Sequence, residues 1–500
     1  MSEVRVRIAP SPSGFLHIGT AKIALFNWLF ARHHGGKFIL RLEDTDAERT
    51  DEAFVAAMCE GFHWLGIDWD EGPPFGGVPE KGEYGSYRQS ERKALHQQAV
   101  QQLLDEGKAY KCFCTKEELE AMREQAREEK RPPRYDGRHR DLTPEQIDAY
   151  GDTPFVVRFR VPEGKTTLHD LVQGDVTQEN AEFDDFVIQK QDGSPLFHMA
   201  VVVDDALMRI SHVIRGDDHL TNAFRHVMLF EALGHPLPHF AHLPMVLDER
   251  GKKYSKREHG ANVLDWRADG YLPETLINYV ALLGWTPAEE GRELFTRDEL
   301  IGMFTADRFG KSAARFDMKK IQWLNGQHIR RLSVEALLGR VLPLIHAAGL
   351  DTDEKDEAWL LRMAEICQEK LATLNDIVAY TDFFFTDVTE YEEKAVKKQF
   401  DKEGAAEKLA AIRETIASAD PWSVDTLHAR LEALAESEGV GIGQFIHPTR
   451  LALTGKSIGP GLYELAELLG REECLKRIDN AIAFVNTLGG ENTVRGENAE

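Results

Sequence analysis

The first hundred residues alternate strand-like and helix-like apolar blocks. "VRVRIAP" reads as a buried first strand, and "HIGTAKIALFNWLFARHH" carries apolar residues on nearly every face, as a largely buried helix does. Gly35 and Gly36 are expected to stop that helix, since glycine favours positions just past a helix end. "KFILRL" reads as the second strand, "EDTDAERT" supplies turn and capping residues, and Phe54, Met58, Phe62 and Leu65 mark a second helix ended by Gly66. Strand, helix, strand, helix predicts a parallel α/β sheet. Residues 107–190 interrupt the pattern with "CFC", a charged helix at 116–131, "RPPRYDGRHR" and two strand-like runs, "FVVRFRV" and "FDDFVIQK". The α/β pattern resumes at "LFHMAVVVDDALMRISHVIRGDDHL", read as strand, turn and helix. "HLPMVLDERGKKYSKRE" follows as a strand and a lysine-rich loop. From about Asp265 the chain reads as helix after helix, and the tail 489–500 as disordered.

Composition narrows this picture. Five hundred residues exceed one hydrophobic core, so several domains are expected. No apolar run is long enough to span a bilayer, and the N-terminus lacks the apolar region of a secretion signal, so a cytoplasmic location with no membrane partner is the expectation. Five cysteines, few and odd in number, argue against a disulfide framework. A net charge of −24 disfavours nucleic acid as a partner unless basic residues are locally concentrated.

Two loops carry candidate chemistry. In "RIAPSPSGFLHIGT", Pro10 and Pro12 pre-set a turn, Gly14 and Gly19 allow close backbone approach, and His17 precedes a helix N-terminus. A nucleotide over a parallel sheet sits against such a helix end, where His17 could donate to a phosphate. In "KYSKR", Lys253 and Lys256 offer cations to a leaving pyrophosphate. Each loop alone is more simply a structural turn or a solvated basic loop. The pairing, more than two hundred residues apart on one predicted sheet, gives them weight.

With "RLEDTD", "VIRGDD", "DGYLPETLINYVALLGW" and "RFDMKKIQWLNGQHIR", these stretches resemble the class I aminoacyl-tRNA synthetases, and within them the bacterial glutamyl-tRNA synthetases, over nearly the whole chain. The resemblance implies a Rossmann-like catalytic domain in two halves, 1–106 and 191–264, with an α+β acceptor-binding insertion at 107–190. It further implies a helical stem-contact domain at 265–330 and all-α anticodon-binding domains at 331–488, in a monomer. The implied reaction joins L-glutamate to tRNA-Glu through a glutamyl-adenylate, with ATP as substrate and Mg²⁺ as partner. His17 and Lys256 would meet the phosphates, and Gly14, Gly19, Asp205, Asp218 and Lys253 would surround ATP. Arg7, Ala9, Ser11, Glu43 and Arg215 would surround glutamate, with Glu43 on the ammonium and the arginines on the carboxylates. The family's tyrosine and asparagine at this site are replaced by Phe197 and Val201, which removes two polar partners.

Cys112 and Cys114 stand where some members hold zinc, with His139 in place of a third cysteine and Asp141 or Tyr135 as the fourth ligand; the alternative is two free thiols under a loop. For tRNA, Arg308, Lys311, Arg315, Lys319, Lys320, Arg330 and Arg331 face only Asp317 in charge, a basic stripe in an acidic chain. Trp323 within it reads as core. Arg450 and Leu462 match anticodon-meeting positions. Lys370 replaces an arginine that rejects the glutamine anticodon, so tRNA-Gln stays open as a further or dedicated substrate. A non-catalytic tRNA-binding relative is the reading of another class.

Overall fold

The computed structural model describes residues 3–12, 14–45, 51–254 and 262–496, the last stretch from 489 as backbone only. The chain divides into two compact units, Met1–Trp266 with Pro273–Met318, and Arg267–Leu272 with Lys319–Glu500.

The first unit is built on the expected alternation. β1 (Arg5–Ile8) and β2 (Lys37–Leu40) pair in parallel and flank α1 (Ile18–His33), and α2 (Glu52–Leu65) follows, closed by Gly66 at φ 67°. α1 buries every residue from Ala24 to Ala31, which covers all its faces, as its uniform apolarity predicts. After α3 (Lys93–Asp105), the inserted segment contributes β3 (Ala109–Cys112), α4 (Lys116–Glu128), α5 (Pro144–Asp148) and β4 (Val156–Phe159). It continues with β5 (Lys165–Asp170), β6 (Gly174–Glu179) and β7 (Val187–Gln189). β3, β4 and β7 form an antiparallel sheet, and β5 and β6 a hairpin. The insertion keeps one small buried cluster to itself, around Tyr110, Cys112 and Cys114, and shares the rest of its core with the flanking segments. Val157, Phe159, Leu168 and Ile188 share one buried cluster with Met199, Val202, Phe224 and Val227.

The next segment corrects the sequence expectation. "FHMAVVVDDAL" is a helix, α6 (Phe197–Leu207), and the strand comes after it, β8 (His212–Gly216). Five consecutive apolar residues, Met199–Val203, have no period to read, and their valines favour a strand; surrounded by apolar neighbours on all sides, they fit a helix equally well. α7 (Leu220–Leu233), β9 (His239–Leu243) and the short β10 (Val246–Leu247) complete this half. β8 and β9 run parallel, β5 joins β9 at Asp170 opposite Phe240, and the Ser211 amide donates to the Arg5 carbonyl at 2.9 Å, setting β8 beside β1. α8 (Val263–Ala268), α9 (Pro273–Leu282) and α10 (Arg297–Met303) follow, and β11 (Ala314–Arg315) pairs in parallel with β10 before α11 (Met318–Arg330).

The second unit is helical around a core that includes Leu337, Val341, Met363, Leu409, Leu451 and Ile478. Its last helix, Arg471–Gly496, carries the backbone helically into the stretch expected to be disordered; 497–500 lie outside the described residues. All five cysteines are free and buried. Among the described residues no helix is long and apolar enough to cross a membrane.

Candidate active site

A cavity of ≈ 600 Å³ opens at the carboxyl ends of β1 and β8 against the N-terminus of α1, the position parallel sheets offer to ligands. It gathers most of the residues singled out in the sequence: Arg7, Ala9, Glu43, Phe197, Val201 and Arg215 from the expected glutamate set, and His17, Gly19, Asp218 and Lys253 from the expected ATP set. Ser11, Gly14 and Asp205 are not on its lining. Lys256 lies outside the described residues.

Asp205 is the clearest departure from the expected ATP set. It is 2% exposed on α6, and its carboxylate accepts from Arg7 Nε at 3.1 Å and Arg41 Nη1 at 2.7 Å. Burial opposes its ionisation, but the two guanidinium groups outweigh that and hold its carboxyl below the usual range. It is a counter-ion under the cavity. Its neighbour Asp204 does the same for Arg92 at 2.6 Å and His96 at 2.9 Å. Above them, Glu43 lies 3.6 Å from Arg41 Nη2, and burial pushes its carboxyl up to about 7 against the pull of Arg41 and Arg7.

Arg215, at the end of β8, is held differently. Its Nε donates to His242 Nε2 at 3.0 Å, its Nη1 to His226 Nδ1 at 3.2 Å and its Nη2 to the His219 carbonyl at 3.3 Å. Among the described residues it forms no ion pair with a carboxylate, and burial followed by repulsion from Arg7 draws it down to about 9. His226, His242 and Asp170 have no motif and escaped the sequence reading. The signal that could have found them is weak: two histidines, "RHVML" and "FAHLP", in otherwise apolar runs.

At the other end of the cavity His17 caps α1, its Nδ1 accepting from the Gly19 amide at 3.0 Å, which leaves the ring proton on Nε2. A Cβ on Gly19 would stand 3.3 Å from that nitrogen, so glycine keeps the cap open. Lys253 donates to Asp218 at 3.0 Å, linking the second loop to the end of β8. Lys22, missed in the sequence, lines the cavity and is 1% exposed. Its Nζ donates to the Pro244 carbonyl at 2.7 Å, and burial lowers it to about 8.

Away from the cavity, the ligand atoms of Cys112, Cys114 and His139 lie within 4.8 Å of one another. Tyr135 stands beside them, its hydroxyl oxygen accepting from Cys112 Sγ at 3.4 Å. Asp141 does not, because it is exposed and paired with Arg160 at 2.7 Å. Of the expected tRNA contacts, Lys311, Arg315, Lys319, Arg331 and Lys370 are exposed, and Arg308 and Lys320 partly so. Arg330 is partly exposed and paired with Glu369 at 3.2 Å. Arg450 is half-buried and donates to the Pro460 carbonyl. Leu462 is 3% exposed in the helical core, so its side chain is packed away, whereas Trp323, expected as core, is 48% exposed.

Comparison with known proteins agrees with this geometry. A family described as tRNA synthetases class I (E and Q), catalytic domain, matches residues 3–323, and an anticodon binding domain matches 336–482. Glutamate–tRNA ligase of Moorella thermoacetica is 45% identical over 492 residues, covering 97% of this chain and 99% of the relative. That of Geobacter sulfurreducens is 42% identical over 486 residues, covering 97% and 100%. The crystal structure of a glutamate tRNA ligase from Elizabethkingia meningosepticum in complex with its amino acid superposes with a TM-score of 0.88 at 34% identity, covering 97% of this chain and all of that one.

Proposed function

The chain belongs to the glutamate–tRNA ligases of the class I tRNA synthetases, and from that premise we propose how its residues divide the reaction. The α-carboxylate of L-glutamate attacks the α-phosphorus of ATP, which enters with Mg²⁺, and pyrophosphate leaves. The terminal 2′-hydroxyl of tRNA-Glu then attacks the adenylate carbonyl, and AMP leaves. Both steps rest on positioning and charge stabilisation.

Glu43 takes the substrate ammonium, and Arg7 and Arg215 take its carboxylates. The single observation carrying this is that Glu43 and an arginine held by neutral acceptors, Arg215, line one cavity, so that each gains from a ligand group of opposite charge. His17 donates from Nε2 to the phosphates, Lys256 joins it, and Asp218 accepts from the ribose. Charging of purified tRNA-Glu and tRNA-Gln transcripts tests the assignment, alongside ATP–pyrophosphate exchange with tRNA present. Loss of exchange in His17→Ala is expected, and a wild-type protein inactive in both assays would leave only a tRNA-binding role. Lys370 in place of a planar arginine favours a detectable second activity on tRNA-Gln.

The basic stripe from Arg308 to Arg331 grips tRNA, and its exposed positions support that. Cys112, Cys114, Tyr135 and His139 suit zinc in donor type and spacing, and would tie the end of β3 to the loop before α5. Zinc there would act structurally, holding the insertion in shape. Elemental analysis of protein purified without added zinc should find about one equivalent, falling away in Cys114→Ser. The protein works as a cytoplasmic monomer.

A further inference from the structure

The partners of Arg215 are all neutral acceptors, and their protonation states are fixed by the bonds they make. A guanidinium only donates. His242 Nε2 therefore accepts from Arg215 Nε, the ring proton sits on Nδ1, and it is donated to Asp170 Oδ2 at 2.6 Å. His226 Nδ1 likewise accepts from Arg215 Nη1, so Nε2 carries the proton and donates to His198 Nδ1 at 3.1 Å. Asp170 is itself locked: Oδ1 accepts from the Val172 and Gln173 amides at 2.9 and 2.8 Å, and Oδ2 from the His242 amide at 3.1 Å. Three of the five guanidinium N–H groups are thereby engaged, and one on each terminal nitrogen has no protein partner among the described residues.

We propose that Asp170, His242 and His226 are positioning residues for substrate recognition: they fix the Arg215 fork through neutral imidazoles, so that its charge is kept for a carboxylate of the substrate. This deepens the reading of the cavity as a glutamate site and rests on it. A carboxylate partner, such as Asp205 provides for Arg7 and Arg41, would hold the fork equally well but neutralise it. An imidazole holds it without a counter-charge. Asp170 acts at one remove, and it comes from β5 of the inserted segment.

The test separates orientation from bulk. Glutamine at 242 can accept from Arg215 and donate to Asp170; leucine can do neither. Glutamate KM should rise about thirtyfold or more in His242→Leu and no more than about threefold in His242→Gln, with ATP KM unmoved in both. Asp170→Asn should raise it about tenfold. If its remaining oxygen keeps the two loop amides, its NH₂ faces His242 Nδ1 and forces the other tautomer, turning an N–H toward Arg215. An unchanged glutamate KM in His242→Leu, or equal rises with leucine and glutamine, overturns the proposal. If the leucine variant fails to fold by circular dichroism, Asp170→Asn decides it, an unchanged KM being the overturning result. Arg215→Lys isolates the underlying reading: if it leaves glutamate KM unchanged, the cavity assignment fails, whereas a rise there with no effect at 242 or 170 defeats the positioning network alone.

Discussion

Arg7 and Arg215 line the same cavity and are held in opposite ways. Under the cavity, Arg7 and Arg41 share the buried carboxylate of Asp205. At the wall, Arg215 rests on two imidazoles and a carbonyl. Both arrangements satisfy N–H groups, but only the first supplies a counter-charge in direct contact. The difference divides the work within a few residues: the floor anchors Arg7 and Arg41 on a counter-ion that holds the fold together, and the wall stores an electrostatic cost that a bound carboxylate would relieve.

Removing the floor's counter-ion is the most severe way to test this. Asp205→Asn leaves two buried guanidinium groups short of charge and should lower stability by about 3–5 kcal/mol, read by urea unfolding. A shift under about 1 kcal/mol would erase the distinction between floor and wall.

Glu43 sits between the two regions and makes the comparison pH-dependent. Its carboxyl is raised from 4.5 to about 7, so the folded state binds its proton more tightly than the unfolded state does. Its cost to the ligand-free protein is absent below pH 4.5, grows as pH rises, and is complete above pH 7, at up to about 3 kcal/mol. Glutamate binding needs the ionised form, so kcat/KM for glutamate should rise through pH 7 and then level off. Glu43→Gln should flatten both the stability trend and that limb.

Next in size, Arg215→Met should weaken glutamate binding about a hundredfold, roughly 2.7 kcal/mol, while the unfolding temperature holds or rises. That is the reverse of the pattern at Asp205. The smallest effect is at Phe197, whose ring packs near His219 and His226. Phe197→Tyr restores one polar partner, worth about 0.5–1.5 kcal/mol, and should lower glutamate KM a few-fold with little change in turnover. An unchanged or raised KM would count against it.

The sequence made some of this legible and concealed the rest for physical reasons. β1, α1 and β2 were readable because buried helices and strands write their burial as apolar runs, and the two loops because their spacing is shared with a family. α6 was misread because an all-apolar run has no period. The β5–β6 hairpin was missed because "KTTLHD" and "GDVTQE" alternate through polar residues, a weak strand signal. Trp323 and Leu462 changed places, since hydrophobicity predicts burial only on average. Asp205 and Arg215 looked like equivalent site residues. Which charge is neutralised depends on partners far apart in sequence, such as Asp170 and His242, and no local pattern encodes that.

The hairpin's last residue has a bearing on modularity. Asp170 ends β5, and the segment that contains it looks detachable in sequence, a candidate for exchange between relatives. Its carboxylate nonetheless ends up two hydrogen bonds from Arg215, and its strands share a core with α6 and α7. A chimaera whose exchanged insertion lacks this acid would lose the support beneath Arg215, however well its new strands packed.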